Sequence, residues 1–189
     1  MSKIDNNNLL SGVSGMLGDN FVIRRVRGQL QMANKPRKVG RRFTKTQESI
    51  QNKFLNASRY AKLQMALPES AALYETGITN KKHSAYTVAV SDYLIAPTVG
   101  FIQAMEYKGK VGDMIVVNAT DDFMVTEVKV VIIDASGNEL ERGVAVKDAA
   151  SHELWRYLAT TDNPTLAGTT IRAIAFDRPG NSATEVVVL

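Results

Sequence analysis

The chain has 189 residues, 44% of them apolar and 22% charged, with a formal net charge of +4, no Cys and two His. That balance describes a globular protein of one ordinary domain or two small ones, neither disordered nor membrane-embedded. Zero Cys excludes a disulfide scaffold, thiolate catalysis and Cys-ligated zinc or iron–sulfur centres, and His83 and His152 alone leave little for imidazole chemistry.

Residues 1–20 are rich in Asn, Ser and Gly, as in Asn6-Asn7-Asn8, Ser11-Gly12 and Ser14-Gly15. Such a composition predicts an arm that is flexible or becomes ordered only against a partner. The arm has no basic stretch leading into an apolar run, and the longest apolar runs, such as Val130-Val131-Ile132-Ile133, have only strand length. The expectation is synthesis in the cytoplasm without a signal peptide, no membrane contact, and incorporation into a virion or other particle as the route to any outside destination.

From Phe21 to Ala33 the pattern alternates as a strand pair does, with Val22, Arg24 and Val26 on one face and Phe21, Ile23 and Arg25 on the other. Arg27-Gly28 is the predicted turn, and Pro36 and Gly40 mark a basic loop after the hairpin. Thr44-Lys45-Thr46-Gln47 has capping-box spacing and opens a helix. Its predicted apolar stripe is Ile50, Phe54, Ala57 and Ala61, widened by Leu55 and Tyr60, and Pro68 disfavours continuation past Ala66-Leu67. A short helical piece follows from Glu69 to Tyr74, ending at Gly77. A third helix is predicted from His83 to Leu94, stopped by Pro97, although Tyr86-Thr87-Val88-Ala89-Val90 also reads as a strand.

Beyond Gly109 the composition shifts to short β-branched runs between turn signals. Met114–Val117, Val125–Ile133, Glu139–Val146, Leu154–Ala159, Thr170–Phe176 and Thr184–Leu189 are six candidate strands, and their even spacing implies an antiparallel sandwich. Trp155 and Tyr157 share one face of their strand, with Trp155 placed to plug the core. The predicted organisation is an arm (1–20), a basic hairpin and helical α+β region (21–108), and an all-β sandwich (109–189).

The small net charge hides a steep gradient. Residues 1–62 carry +10, residues 63–110 carry 0, and residues 111–189 carry −6. The densest block is Arg24, Arg25, Arg27, Lys35, Arg37, Lys38, Arg41, Arg42 and Lys45, with no carboxylate between Asp19 and Glu48. Phosphate binding would explain the cations, because neutralised phosphates release counterions. Docking onto the acidic end of a neighbouring subunit would explain both poles together. A solvated basic face is the third reading. Only Phe21 and Phe43, at the edges of the block, could stack on bases, which disfavours a single-strand platform.

Other candidate sites are weak. Asp113, Asp121 and Asp122 are oxygen ligands of the kind calcium takes, but they lack EF-hand spacing, and turning the chain or capping N–H groups is the simpler role. Asp177-Arg178-Pro179-Gly180 is a turn. His152 lies beside Ser151 and Glu153, yet sequence neighbours do not face one another as a triad requires. The Gly12–Gly18 run lacks the Lys-Ser/Thr ending of a phosphate loop. No catalytic residue, cofactor, metal or small-molecule substrate is expected.

The second half resembles bacterial immunoglobulin-like modules that lack the antibody disulfide. The residues carrying the likeness are Val117-Asn118-Ala119-Thr120-Asp121-Asp122, Ile133-Asp134-Ala135-Ser136-Gly137-Asn138, Trp155-Arg156-Tyr157 and Ala173 through Asn181. The first half is similar to the N-terminal part of an uncharacterised family of bacterial and phage-associated proteins, through Gly15-Met16-Leu17-Gly18, Arg24-Arg25-Val26-Arg27-Gly28 and Thr44-Lys45-Thr46-Gln47 with Lys53-Phe54. These resemblances imply adhesion, spacing or assembly, with no chemistry attached. The expected function is that of a non-enzymatic structural subunit of a phage virion or similar particle, whose partners are copies of itself or other particle subunits. The alternatives are a nucleic-acid-binding packaging protein and an adhesin-like module.

Overall fold

A computed structural model describes residues 2–4, 13–35 and 43–189. Twelve strands and three helices lie among these residues, a mixed α+β chain with substantial antiparallel β content. The chain divides into two compact units, Met1–Thr44 and Lys45–Leu189.

The first unit is a four-stranded antiparallel sheet. Its centre is the expected hairpin, β3 (Phe21–Val26) paired with β4 (Gln29–Asn34). The turn is Arg27-Gly28, and both residues have positive φ, 53° and 78°, as a two-residue turn matched to strand twist requires. Ile23 and Leu30 are buried on one face of the hairpin. Two segments of the expected arm are strands: β1 (Ser2–Ile4) pairs with β4, and β2 (Gly15–Leu17) pairs with β3. Those residues pair with the strands of the hairpin. A bare hairpin leaves two rows of unpaired N–H and C=O groups, and short flanking segments satisfy them in spite of a turn-rich composition.

The second unit opens with α1 (Lys45–Met65), directly after Thr44, then α2 (Pro68–Glu75) and α3 (Ala85–Leu94). The β-prone stretch 86–90 is helical: Ser84 caps α3 by accepting from Thr87 N–H at 3.2 Å, and the helix buries Val88, Ala89 and Val90. The cap and the apolar face together outweigh local β preference. The helices share a core of Ala57, Ala61, Tyr74, Ala85, Val88, Ala89 and Val90.

Two four-stranded sheets complete the unit. One has the order β5-β6-β10-β9, from β5 (Thr98–Gln103), β6 (Met114–Thr120), β10 (Leu154–Leu158) and β9 (Val146–Lys147). The other has the order β12-β11-β7-β8, from β12 (Ser182–Val188), β11 (Thr170–Asp177), β7 (Val125–Ile133) and β8 (Glu139–Val144). Alternate residues of both sheets feed one core: Ile115 and Val117, Trp155 and Tyr157, Val128, Val130 and Ile132, and Ile171, Ala173 and Ala175. Trp155 and Tyr157 are both buried there, on one face of β10 as expected.

Strand β5 lies before the expected boundary at residue 109 and belongs to a sheet of the β half. Its register against β6 shifts between Val99 and Phe101, with Gly100 as the extra residue. A bulge of this kind breaks the two-residue alternation on which recognition of a strand depends.

Candidate functional site

Of the basic block, Arg24 and Arg25 lie on β3 of the small sheet and Arg27 in its turn. Arg24 stands opposite Gln31 and Arg25 opposite Leu30, so alternation sends the two guanidinium groups to opposite faces. Arg24, Arg25, Arg27, Lys35 and Lys45 are all exposed, and among the described residues none of them is in an ion pair. Arg37, Lys38, Arg41 and Arg42 lie outside the described residues. Arg27 is the one non-glycine with positive φ among those described. A left-handed arginine costs on the order of 1 kcal/mol against Gly or Asn, and such strain persists where something else requires the residue.

The carboxylates singled out from the sequence act on the chain itself. Asp113 accepts from the backbone N–H groups of Lys108 (2.6 Å) and Lys110 (2.8 Å), which hold its carboxyl below the usual range. Asp121 accepts from Phe123 and Met124 N–H at 3.0 and 2.9 Å. Asp122 accepts from Lys82 Nζ and Ser91 Oγ, each at 2.5 Å. Burial opposes ionisation of Asp122, but these two donors outweigh it and lower its pKa. Asp177 folds the predicted turn, accepting from Gly180 and Asn181 N–H. Among the described residues no group of three His, Asp or Glu side chains is placed to hold a metal ion.

A polar cluster that sequence reasoning missed sits between the helices and the loops of the β half, all within the second unit. Asp92, on α3, is fully buried. Tyr74 Oη donates to Asp92 Oδ2 at 2.5 Å, and Tyr60 Oη lies 2.7 Å from Tyr74 Oη. Because the Tyr74 proton is committed to Asp92, Tyr60 is the donor in the second bond. Arg178 stands over the Tyr74 ring, 5.8 Å from its centroid, and donates to Ser70 Oγ at 3.0 Å. Asn181 Nδ2 donates to Asp177 Oδ2 at 2.6 Å and to the Tyr93 carbonyl at 3.3 Å. Phe123 stacks on Tyr74 with centroids 4.8 Å apart.

Burial pushes the Asp92 carboxyl up to about 7; the Tyr74 hydrogen bond opposes the rise, and the nearby carboxylates of Asp121, Asp177 and Asp122 add to it. Burial and the bonds to Asp92 and Tyr60 likewise raise Tyr74. Asp92 Oδ1 and Asp121 Oδ1 are buried without a hydrogen-bond partner among the described residues. A lone charged residue, Asp92, in an otherwise uncharged helix (Ala85-Tyr86-Thr87-Val88-Ala89-Val90-Ser91-Asp92) was the available signal in the sequence.

A groove of about 720 Å³ runs along the open side of the two sheets, lined by Val144, Val146, Leu158, Arg142 and Arg156 among others. Two of its cations are paired with carboxylates: Arg142 makes two bonds to Glu139, at 3.1 and 2.7 Å, and Arg156 lies 2.6 Å from Asp148; the third, Lys147, stands over the Trp155 ring, 5.7 Å from its centroid. His83 and His152 are both exposed, and no hydrogen bond to either is found among the described residues.

The stripe expected on α1 is only partly covered. Ala57 and Ala61 are buried, whereas Ile50, Phe54 and Leu55 are 64%, 55% and 47% exposed. Lys53 Nζ donates to the Leu94 carbonyl at 3.1 Å, and Ser58 Oγ lies 2.6 Å from Tyr86 Oη. Those two contacts make α1 and α3 antiparallel, with residues before Lys53 extending past the end of α3. A 21-residue helix is about 31 Å long and a 10-residue one about 15 Å, so α3 cannot cover the whole stripe.

Comparison with protein-family models, with curated proteins and with solved structures finds no match. No helix among the described residues is long and apolar enough to cross a membrane.

Proposed function

We propose that this protein is a non-enzymatic structural subunit of a multi-subunit particle such as a phage virion. Its basic sheet docks onto acidic surface of a neighbouring copy or of another particle subunit. The observation that carries this reading is the exposed set Arg24, Arg25, Arg27, Lys35 and Lys45, in no ion pair among the described residues, with Arg27 kept at a turn position that favours Gly or Asn. The division of charge supports it. Residues 1–44 hold nine Lys/Arg and two Asp/Glu, and residues 45–189 hold 14 and 17. A unit at +7 joined to one at −3 suits head-to-tail association between copies, because complementary charge steers and orients encounter. The β half fits this role as an Ig-like sandwich that serves as a spacer.

A second reading, nucleic-acid binding, draws on the same uncompensated arginines. One experiment separates the two. Wild-type protein and the Arg24/Arg25/Arg27→Ala variant are sedimented at 50 and 500 mM salt, alone and with double-stranded DNA. Salt-sensitive self-association beyond a dimer, lost in the variant, supports subunit docking. Salt-sensitive co-sedimentation with DNA and no such self-association supports the nucleic-acid reading. A species unchanged by salt, DNA and the substitutions overturns both.

A further inference from the structure

We infer that the contact between the three helices and the two large sheets of the second unit is a proton-controlled joint: protonated Asp92 holds it closed, and ionisation of Asp92 opens it while both parts stay folded. It lies apart from the basic sheet and does not depend on what that sheet binds.

The helices and the two large sheets have separate hydrophobic cores. Two loops of the β half reach the helices, 121–124 between β6 and β7 and 178–181 between β11 and β12. Phe123 is the apolar plug: it stacks on Tyr74 and packs against the helical core. Around it the contacts are polar. Lys82 pairs with Asp122, Ser91 donates to Asp122, Arg178 donates to Ser70, and Asn181 donates to the Tyr93 carbonyl. A joint built of polar contacts around one ring can part without exposing either core.

Asp92, fully buried, is at its centre. One carboxylate oxygen takes the Tyr74 proton, and the other has no hydrogen-bond partner among the described residues. From α1 and α2 it is faced by Tyr60 and Tyr74, bonded in series, and on α3 itself Tyr93 packs on Tyr60. Lys82, from the segment before α3, has its charge matched by Asp122. From the β half come the carboxylates of Asp121, Asp122 and Asp177, and the guanidinium of Arg178, which is engaged on Ser70 and the Tyr74 ring. Three carboxylates against two cations make this place negative before Asp92 ionises, and a buried charge with one hydrogen bond and no ion pair is costly. Burial above all, then the three carboxylates, pushes its carboxyl up to about 7 against the pull of the Tyr74 bond.

Those three carboxylates all belong to the β half, just after β6 and at the end of β11. Drawing the two loops away therefore removes the repulsion and admits water to Asp92, while the helices keep their own core. The closed form binds the proton more tightly than the open one, so closure is strongest at low pH and is lost as pH rises through about 7.

The chain has no Cys and one Trp, which permits a direct test. Spin labels are attached to the full chain through Lys62→Cys on α1 and Ser136→Cys in the β7–β8 turn, both exposed positions. Their separation is measured by pulsed electron resonance at pH 5.5 and 8.5, with emission of Trp155 as the monitor of the β core. One narrow distance is expected at pH 5.5 and a broader, longer distribution at pH 8.5, with Trp155 emission unchanged. The open-to-closed ratio should rise about tenfold for each pH unit between about 5 and 7. Asp92→Asn still accepts from Tyr74 and carries no charge, so it should stay closed at both pH values. Asp121→Asn keeps an oxygen for the Phe123 and Met124 N–H groups and removes one repelling charge; it should hold a larger closed fraction at pH 8.5 than wild type, and serves if Asp92→Asn does not fold. One closed distance at both pH values overturns the joint. So does broadening accompanied by exposure of Trp155, which is unfolding of the β half. Opening of Asp92→Asn as in wild type, or an Asp121→Asn no more closed than wild type, overturns it as well.

Discussion

Asp92 shows what folding does to a single side chain: an acid is moved from water into a site bounded by three helices and two loops, with one oxygen bonded by Tyr74 and the other unpartnered among the described residues. Its carboxyl titrates near 7 in the folded chain and near 3.9 in the unfolded one. The folded state therefore binds the proton more tightly. The stabilisation from protonated Asp92 is complete below about pH 4 and is lost as pH rises through 7. Asp177, also raised by burial, contributes in the same direction. Thermal melts should accordingly show stability increasing from pH 8 to pH 5, by on the order of 2 kcal/mol for Asp92. In Asp92→Asn most of that slope should vanish; an unchanged slope would show that Asp92 does not govern it. Asp122 has the opposite sign: its lowered carboxyl contributes above the unfolded value and is lost as pH falls through the folded one. Arg27 gives a second test at this scale. Arg27→Asn suits the left-handed turn and should stabilise the first unit by about 0.5–1 kcal/mol, while weakening its docking to acidic surface. Stability and binding would then move in opposite directions, which chemical denaturation and sedimentation of the same variant would reveal.

At the scale of elements, local pattern and tertiary cover diverge most on α1. The stripe Ile50, Phe54, Ala57 and Ala61 is a single helical face, and its spacing correctly predicts the helix, yet spacing carries no information about what lies opposite. The face changes character between Phe54, half exposed, and Ala57, fully buried. Substitutions should report this boundary. Ala57→Leu, at a fully buried position against α3, should cost about 1–3 kcal/mol by overpacking. Phe54→Ser should change the stability of the monomer by under about 0.5 kcal/mol, as urea denaturation at low protein concentration would measure. The β half was more legible, because alternation and turn residues are local signals that burial in a two-sheet core reinforces. The exceptions are β5, where the Gly100 bulge takes the alternation out of phase, and the expected strand Glu139–Val146, which divides at the buried Ala145 into β8 and β9 of different sheets.

For the whole molecule, the compact units coincide with a division of charge. The boundary at Thr44/Lys45 puts the nine basic residues of 1–44 in one unit, and both hydrophobic cores of the helices and large sheets in the other. Residues 45–189 expressed alone should therefore melt cooperatively, and should lack the salt-sensitive docking proposed for the basic sheet. A non-cooperative melt would place part of the folding information in residues 1–44. The sequence by itself determined the elements with local signatures: the Arg27-Gly28 hairpin, the helices bounded by Thr44, Ser84, Pro68 and Pro97, the alternating strands around Trp155, and the charge gradient from +10 to −6. Tertiary structure alone decided which segments close the edges of the small sheet, how far α3 covers α1, and that Asp92 meets Tyr74, Tyr60 and the loop residues Asp121 and Asp177. The physical reason is range. Capping, turn chemistry and periodicity act within a few residues, whereas edge pairing, burial and the pKa of a buried acid depend on groups that only the folded chain brings together.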